Sequence, residues 1–74
     1  MVSAQPLVSG DFGEVVANLQ LKLSALGYYD GEITGSFGEL TCEAVKAFQS
    51  DFGLPQTGEA DAQTQALLLS LIHI

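Results

Sequence analysis

Four of the twelve residues from Gly27 to Gly38 are glycine, and no regular helix can run through such a segment. The chain must therefore be assembled from short elements on either side of it. Before it, Val15, Val16, Leu19, Leu23 and Leu26 fall at helical spacing, with Asn18, Leu21 and Ala25 off the stripe. After it, Thr41, Ala44, Val45, Phe48 and Phe52 form a second stripe, and Thr64, Leu67 and Leu68 begin a third. The spacing predicts helices over Glu14 to Leu26, Glu39 to Phe52 and Asp61 to about Leu68. The fold class is then all-α, a compact three-helix bundle joined by two Gly-rich loops, with Leu19, Leu23, Leu26, Val45, Phe48 and Leu67 at its centre.

The ends of these helices are written in the sequence as well. Asp11 and Glu14 have the D-x-x-E form of a capping box, and Asp61 is a favoured N-cap residue. Gly27 and Gly53 are placed to close the first two helices, and Pro55 prevents continuation of the second. Within the first loop Asp30-Gly31 is a turn signal, and β-branched Thr34 favours extended backbone, so a short hairpin is expected there. The chain also repeats itself. Thr34-Gly35 followed by Thr41 recurs as Thr57-Gly58 followed by Thr64, and Val16-x-x-Leu19-Gln20 is echoed by Val45-x-x-Phe48-Gln49. Both glutamines are expected to tie loop backbone to helix.

Seventy-four residues allow one domain, and the 47% that are hydrophobic give it enough apolar surface to fold. Nine acidic residues against two lysines leave a net charge of -7, which repels phosphate backbones and anionic lipid headgroups, so neither nucleic acid nor bare membrane is an expected partner. A single cysteine, Cys42, excludes an internal disulfide and a Cys-based zinc cage, and a single histidine, His73, excludes a His cluster or a Ser-His-Asp triad ordered inside the fold. Cys42 reads as a small buried hydrophobe, and Asp30 with Glu32 as solvated turn charges, since a chain this small offers no cleft to set two carboxylates apart. No enzyme activity, cofactor or metal is expected. Met1 to Val8 lacks the basic residue and apolar run of a signal peptide, and the nearly apolar stretch from Ala66 to Ile74 is far short of the roughly 20 residues that span a bilayer.

The order V-x-x-L-Q-x-x-L-x-x-L-G-Y-Y-D-G from Val16, I-x-G-x-F-G-x-x-T-x-x-A-V-x-x-F-Q from Ile33 and G-L-P-x-x-G-x-x-D-x-x-T from Gly53 resembles the three-helix peptidoglycan-binding domain of bacterial cell-wall proteins. The resemblance covers about Gly10 to Leu68. It implies a non-catalytic, extracytoplasmic module that binds peptidoglycan, through glycan or stem peptide, and anchors a catalytic domain of the same parent chain to the wall. Thr34 and Thr57 depart from the family pattern, which has an acidic residue before each loop glycine. The alternative is a protein-interaction or pro-domain-like module without wall affinity. Related folds precede metalloprotease domains, but Cys42 lies inside a helix and not in a switch segment after the bundle.

Candidate ligand-binding residues follow from the loop. Tyr28, Tyr29 and Phe37 are rings outside the helical stripes that can stack on a sugar or peptide. Tyr28 and Phe37 are rather expected to fold back and roof the core between the first two helices, whereas Tyr29, beside Asp30, is expected to be exposed. Backbone amides near Phe37, Gly38 and Glu39 at the start of the second helix can receive an acyl or carboxylate group, although Glu39 and Glu43 already supply negative charge there. Thr41, one turn into that helix, completes the set. The chain therefore divides into a linker, 1–9, the domain, 10–68, and a tail, 69–74. The tail is the translation of CTG TCT CTT ATA CAC ATC, which resembles a transposase adapter end, so it is expected to be read-through and not native sequence.

Overall fold

The computed structural model describes residues 6–71, so Ile72, His73 and Ile74 of the tail lie outside the described residues. It contains three helices: α1 (Glu14–Ala25), α2 (Glu39–Asp51) and α3 (Ala62–Leu71). None is long and apolar enough to cross a membrane. Each buries one narrow face. Val16, Leu19, Gln20 and Leu23 are buried on α1, and Thr41, Ala44, Val45, Phe48 and Gln49 on α2, so both helices follow the i, i+3, i+4, i+7 spacing of a single apolar stripe. On α3 the buried pair is Thr64 and Leu68, one full turn apart.

Some stripe assignments shift by one position. Val15 is 59% exposed beside Val16 at 1%, and Leu67 sits at the core margin while Leu68 is 1% exposed. Leu26 is also marginal, and Phe52, 39% exposed, leans on Phe48 with ring centroids 4.7 Å apart. The core itself gathers Leu19, Leu23, Val45, Phe48 and Leu68 with three residues from outside the helices: Tyr29, Phe37 and Ala60.

The two C-terminal glycines act as expected, and both helices end in the same way. Gly27, at φ 89°, donates to Ser24 O while Tyr28 N–H reaches back to Leu23 O at 2.8 Å. Gly53, at φ 72°, donates to Ser50 O while Leu54 N–H reaches Gln49 O at 2.8 Å. These paired bonds are Schellman caps, which a residue with a Cβ adopts only with strain. Asp61 caps α3, its Oδ1 accepting Thr64 N–H at 2.9 Å. Asp11 does not cap α1. Its carboxylate accepts Val8 N–H instead, and the N-cap position falls to Gly13, which has no side chain to offer.

No hairpin forms within the first loop. The loop pairs with the segment before α1: Phe12 faces Ser36 in an antiparallel bridge, Phe37 N–H donates to Asp11 O, and Gly13 N–H donates to Gly35 O at 2.8 Å. Leu7, in the segment read as linker, exchanges both backbone bonds with Ala60 at 3.0 and 2.9 Å and packs on the core. A chain of this size gains from covering its core with irregular segments, because three short helices leave much of their apolar surface open.

Phe48 is fully buried and touches the rings of Tyr28 and Phe52. Phe48→Ala should remove roughly 3–5 kcal/mol, comparable to the whole stability of a domain this small. A thermal melt is expected to show no folded baseline at room temperature; a transition within a few degrees of the parent would place Phe48 outside the core.

Candidate functional site

The first loop is held from below by one side chain. Gln20 on α1 is fully buried, and its amide Nε2 donates to Ser36 O and to Thr41 Oγ1, both at 3.0 Å. Its Oε1 accepts Gly35 N–H at 2.9 Å. The bonds to Ser36 and Thr41 use both Nε2 hydrogens, so the Nε2 contacts to Tyr29 and Thr34 at 3.4 Å are secondary. Thr34 Oγ1 accepts Ser36 N–H at 3.1 Å, which tightens the turn around Gly35. Gly35 has φ 79°, and a Cβ there would stand 3.3 Å from Gly13 O, so glycine is required for both conformation and space.

Gln49 on α2 repeats this arrangement at the second loop. Its Nε2 donates to Glu59 O at 2.9 Å and Thr64 Oγ1 at 3.1 Å, and its Oε1 accepts Gly58 N–H at 3.1 Å. Thr57 Oγ1 accepts Glu59 N–H at 3.1 Å, and Gly58 has φ 80°. The expectation that both glutamines tie loop to helix holds. The loops also keep their conformation with threonine at 34 and 57, because a hydroxyl oxygen accepts the same turn N–H that a carboxylate would.

The Schellman cap of α1 and the Gln20 bonds set the directions of the loop rings. Tyr28 stands edge-on to Phe48, with centroids 5.6 Å apart at 87°, and donates its hydroxyl to Asp51 Oδ2 at 2.6 Å. Tyr29 turns inward. It is only 7% exposed, contrary to the exposure expected of it, and its hydroxyl donates to Glu32 O at 2.6 Å, closing the turn between them. A Cβ on Gly31 would lie 3.0 Å from the Tyr29 Oη and 3.3 Å from Leu40 Cδ1, so a side chain there would have to push those side chains apart by a few tenths of an ångström. Phe37 is 3% exposed and belongs to the core, in agreement with the roofing reading. Gly38 is the N-cap of α2 and offers no side-chain bond to it, and Thr41 spends its hydroxyl on Gln20.

Two open grooves result. One, of about 410 Å³, is lined by Tyr28, Tyr29, Asp30, Gly31, Leu40 and Glu43, with Ala44 and Ala47 at its floor. The other, of about 480 Å³, is lined by Tyr29, Glu32, Thr34, Ser36, Gly38, Glu39, Leu40 and Thr41. Tyr29 and Leu40 are common to both, and Leu40, 66% exposed, forms the ridge between them. The structure thus gathers Tyr28, Asp30 and Gly38 along one surface, with a small part of Tyr29 reaching both grooves, and leaves Thr41 and Phe37, 1% and 3% exposed, beneath it. Leu40 was missed by sequence reasoning. Its position off the buried stripe of α2 is readable in the sequence, but a single exposed leucine is ordinary and gives no functional signal by itself. Among the described residues no cluster of three or more His, Cys, Asp or Glu could hold a metal ion.

Three short helices, with each loop pinned by a buried glutamine and one loop shaping a shallow surface, define a small helical binding module. The sequence profile of the family described as "Putative peptidoglycan binding domain" matches residues 12–68, and the chain belongs to that family. It is 42% identical over 67 residues to the spore cortex-lytic enzyme of Bacillus cereus, a match that takes in 90% of this chain and 26% of that enzyme. The crystal structure of the SleB N-terminal domain superposes with a TM-score of 0.90 at 39% identity, covering 96% of this chain and 97% of the other. The endolysin of Burkholderia phage AP3 gives 0.86 at 34% identity, covering 96% of this chain and 27% of that protein. The chain spans about a quarter of the cortex-lytic enzyme it resembles.

The Tyr28–Asp51 contact yields a titration test. The hydrogen bond to Asp51, followed by burial and the carboxylate's charge, raises the phenol above its ordinary value of 10.0. With the folded value raised, the stabilisation is fully present below the unfolded pKa and is lost as pH climbs through the folded one. Asp51→Ala should bring the tyrosinate absorbance midpoint of Tyr28 down toward 10.0; an unmoved midpoint would show that the bond is not made.

Proposed function

We propose that this domain is a non-catalytic peptidoglycan-binding module that works outside the cytoplasm and holds an attached wall-acting catalytic domain at its substrate. The observation that carries the proposal is the pair of grooves meeting at Leu40, in a chain that belongs to a family described by peptidoglycan binding. The grooves are open at the surface, as a site for an insoluble polymer must be, since a polymer has to enter from the side and cannot be enclosed. The relatives support the arrangement: in the cortex-lytic enzyme and the endolysin, a segment like this one occupies about a quarter of a longer chain. Tyr28, Asp30 and Gly38 bind in this reading, joined by Leu40, Glu43 and the exposed edge of Tyr29, while Thr41 and Phe37 support them from below.

Contact areas on so small a surface give affinities of roughly micromolar to millimolar, so two linked copies serve better than one in a pelleting assay. Such a tandem protein should co-sediment with purified insoluble peptidoglycan. Leu40→Asn removes exposed apolar surface at no cost to the core and should weaken retention by about 1 kcal/mol, roughly fivefold, with the melt unchanged. Asp30→Ala should act in the same direction. A tandem protein that is folded by circular dichroism yet remains in the supernatant would overturn wall binding and favour a protein-interaction role.

A further inference from the structure

The chain has four aspartates, and the fold treats one of them differently. Asp11 accepts Val8 N–H at 3.0 Å, Asp51 accepts the Tyr28 hydroxyl at 2.6 Å and Asp61 accepts Thr64 N–H at 2.9 Å, so these three carboxylates are each held against a donor. Asp30 is exposed, lies outside every helix and bridge, and among the described residues its carboxylate meets no donor. It is also the one aspartate followed by glycine; the others precede Phe12, Phe52 and Ala62. The N–H of Gly31 donates to no group among the described residues. An aspartate side chain readily reaches the backbone that follows it, and a glycine there has no Cβ to crowd the approach. A free carboxyl, an uncommitted peptide nitrogen and an unhindered path therefore coincide at Asp30-Gly31 and nowhere else among the aspartates.

We propose that Asp30-Gly31 is a site of spontaneous backbone isomerisation in the folded domain, where aspartyl converts to isoaspartyl. The Gly31 nitrogen attacks Cγ of the protonated Asp30 carboxyl. The N–Cγ bond forms, the Cγ–OH bond breaks, and hydroxyl and amide proton leave together as water, closing a succinimide. Water then adds to one of its two carbonyls. Opening at Cγ regenerates aspartate, and opening at the Asp30 carbonyl carbon routes the main chain through Cβ and Cγ and leaves an α-carboxylate as the side group. Net charge is unchanged, but the backbone gains a methylene inside the turn that the Tyr29 hydroxyl closes on Glu32 O at 2.6 Å. Asp30 and Gly31 line one groove with Tyr28, Tyr29 and Leu40, so the lengthened turn reshapes that groove while the core, which neither residue joins, is left intact. The effect on binding rests on the wall-binding reading above; the chemistry does not.

The test ages the folded domain in neutral buffer below its melting transition, then maps each aspartate by peptide digestion and electron-transfer fragmentation, which separates the two isomers. Isoaspartate should accumulate at position 30, with aspartate retained at 11, 51 and 61. Asp30→Glu, which would need a larger and slower-forming ring, should remove the product and leave the melt unchanged. When the aged tandem protein is pelleted with insoluble peptidoglycan, the isoaspartyl form should be retained roughly two- to fivefold less than the aspartyl form, the scale of losing exposed contacts. An aged domain that keeps aspartate at position 30, under conditions in which the free peptide of residues 26–35 converts, would overturn the proposal by showing that the fold holds the two groups apart. Conversion at Asp11, Asp51 or Asp61 as fast as at Asp30 would overturn its structural basis. Equal retention of both isomers would overturn the effect on the groove. Failure of the fresh protein to pellet would instead overturn the wall-binding reading and leave the isomerisation site standing.

Discussion

A primary amide buried among apolar side chains is destabilising unless every one of its polar atoms finds a partner, and this fold is arranged so that two of them do. Gln20 and Gln49 are 0% and 1% exposed, and each joins three points that are remote in sequence: its own helix, the backbone of the loop that follows, and the first turn of the next helix. Among the described residues no buried side-chain nitrogen or oxygen is left without a partner. A leucine in place of either glutamine would fill the volume but strand a glycine N–H, a carbonyl and a threonine hydroxyl, at roughly 1–3 kcal/mol for each unpaired buried group. A glutamate would bring a charge into the core and set an acceptor oxygen against the Ser36 or Glu59 carbonyl where the amide now donates. Threonines at 34 and 57 keep the surroundings neutral, which suits a chain already carrying a net charge of -7.

The two units are alike in their bonds and unlike in what they expose. Around the second glutamine the loop is sealed: Gly58 is buried, a Cβ on it would come within 2.7 Å of Cys42 Sγ, and Ala60 is covered by the backbone pairing with Leu7. Its helix is capped internally by Asp61. Around the first glutamine the helix start has no side-chain cap, and Leu40 stands out between two grooves where the corresponding position of the second unit is Gln63. One unit completes the core, and the other, held equally firmly, presents a surface.

Much of this could be read from the chain because the governing patterns are local. The stripes on α1 and α2, the glycines that end them and the duplicated Gln, Thr-Gly and Thr positions each depend on a few neighbouring residues. What escaped depends on direction or on remote partners. Tyr29 was expected outside, and the cap at Gly27 aims it inward; no local pattern specifies that rotation. Val15 and Val16 are equally plausible stripe members until neighbouring elements select Val16, and Leu67 and Leu68 differ in the same way. Leu7 pairs with Ala60 through backbone groups that carry no sequence signature at all. Leu40 looks like any other apolar residue off its helix stripe, and its place between the grooves emerges only once the loop and α2 are brought together.

The central claim, that each buried glutamine independently fixes its own loop, is most directly tested by amide hydrogen exchange at Gly35 and Gly58. Both N–H groups donate to glutamine oxygens inside the fold, so both should exchange slowly although they lie in loops. In Gln20→Met the protection of Gly35 should be lost while that of Gly58 is retained relative to the variant's global stability, and Gln49→Met should show the reverse. Rapid exchange at both glycines in the unmodified domain, or unchanged protection at Gly35 in a folded Gln20→Met variant, would contradict the account.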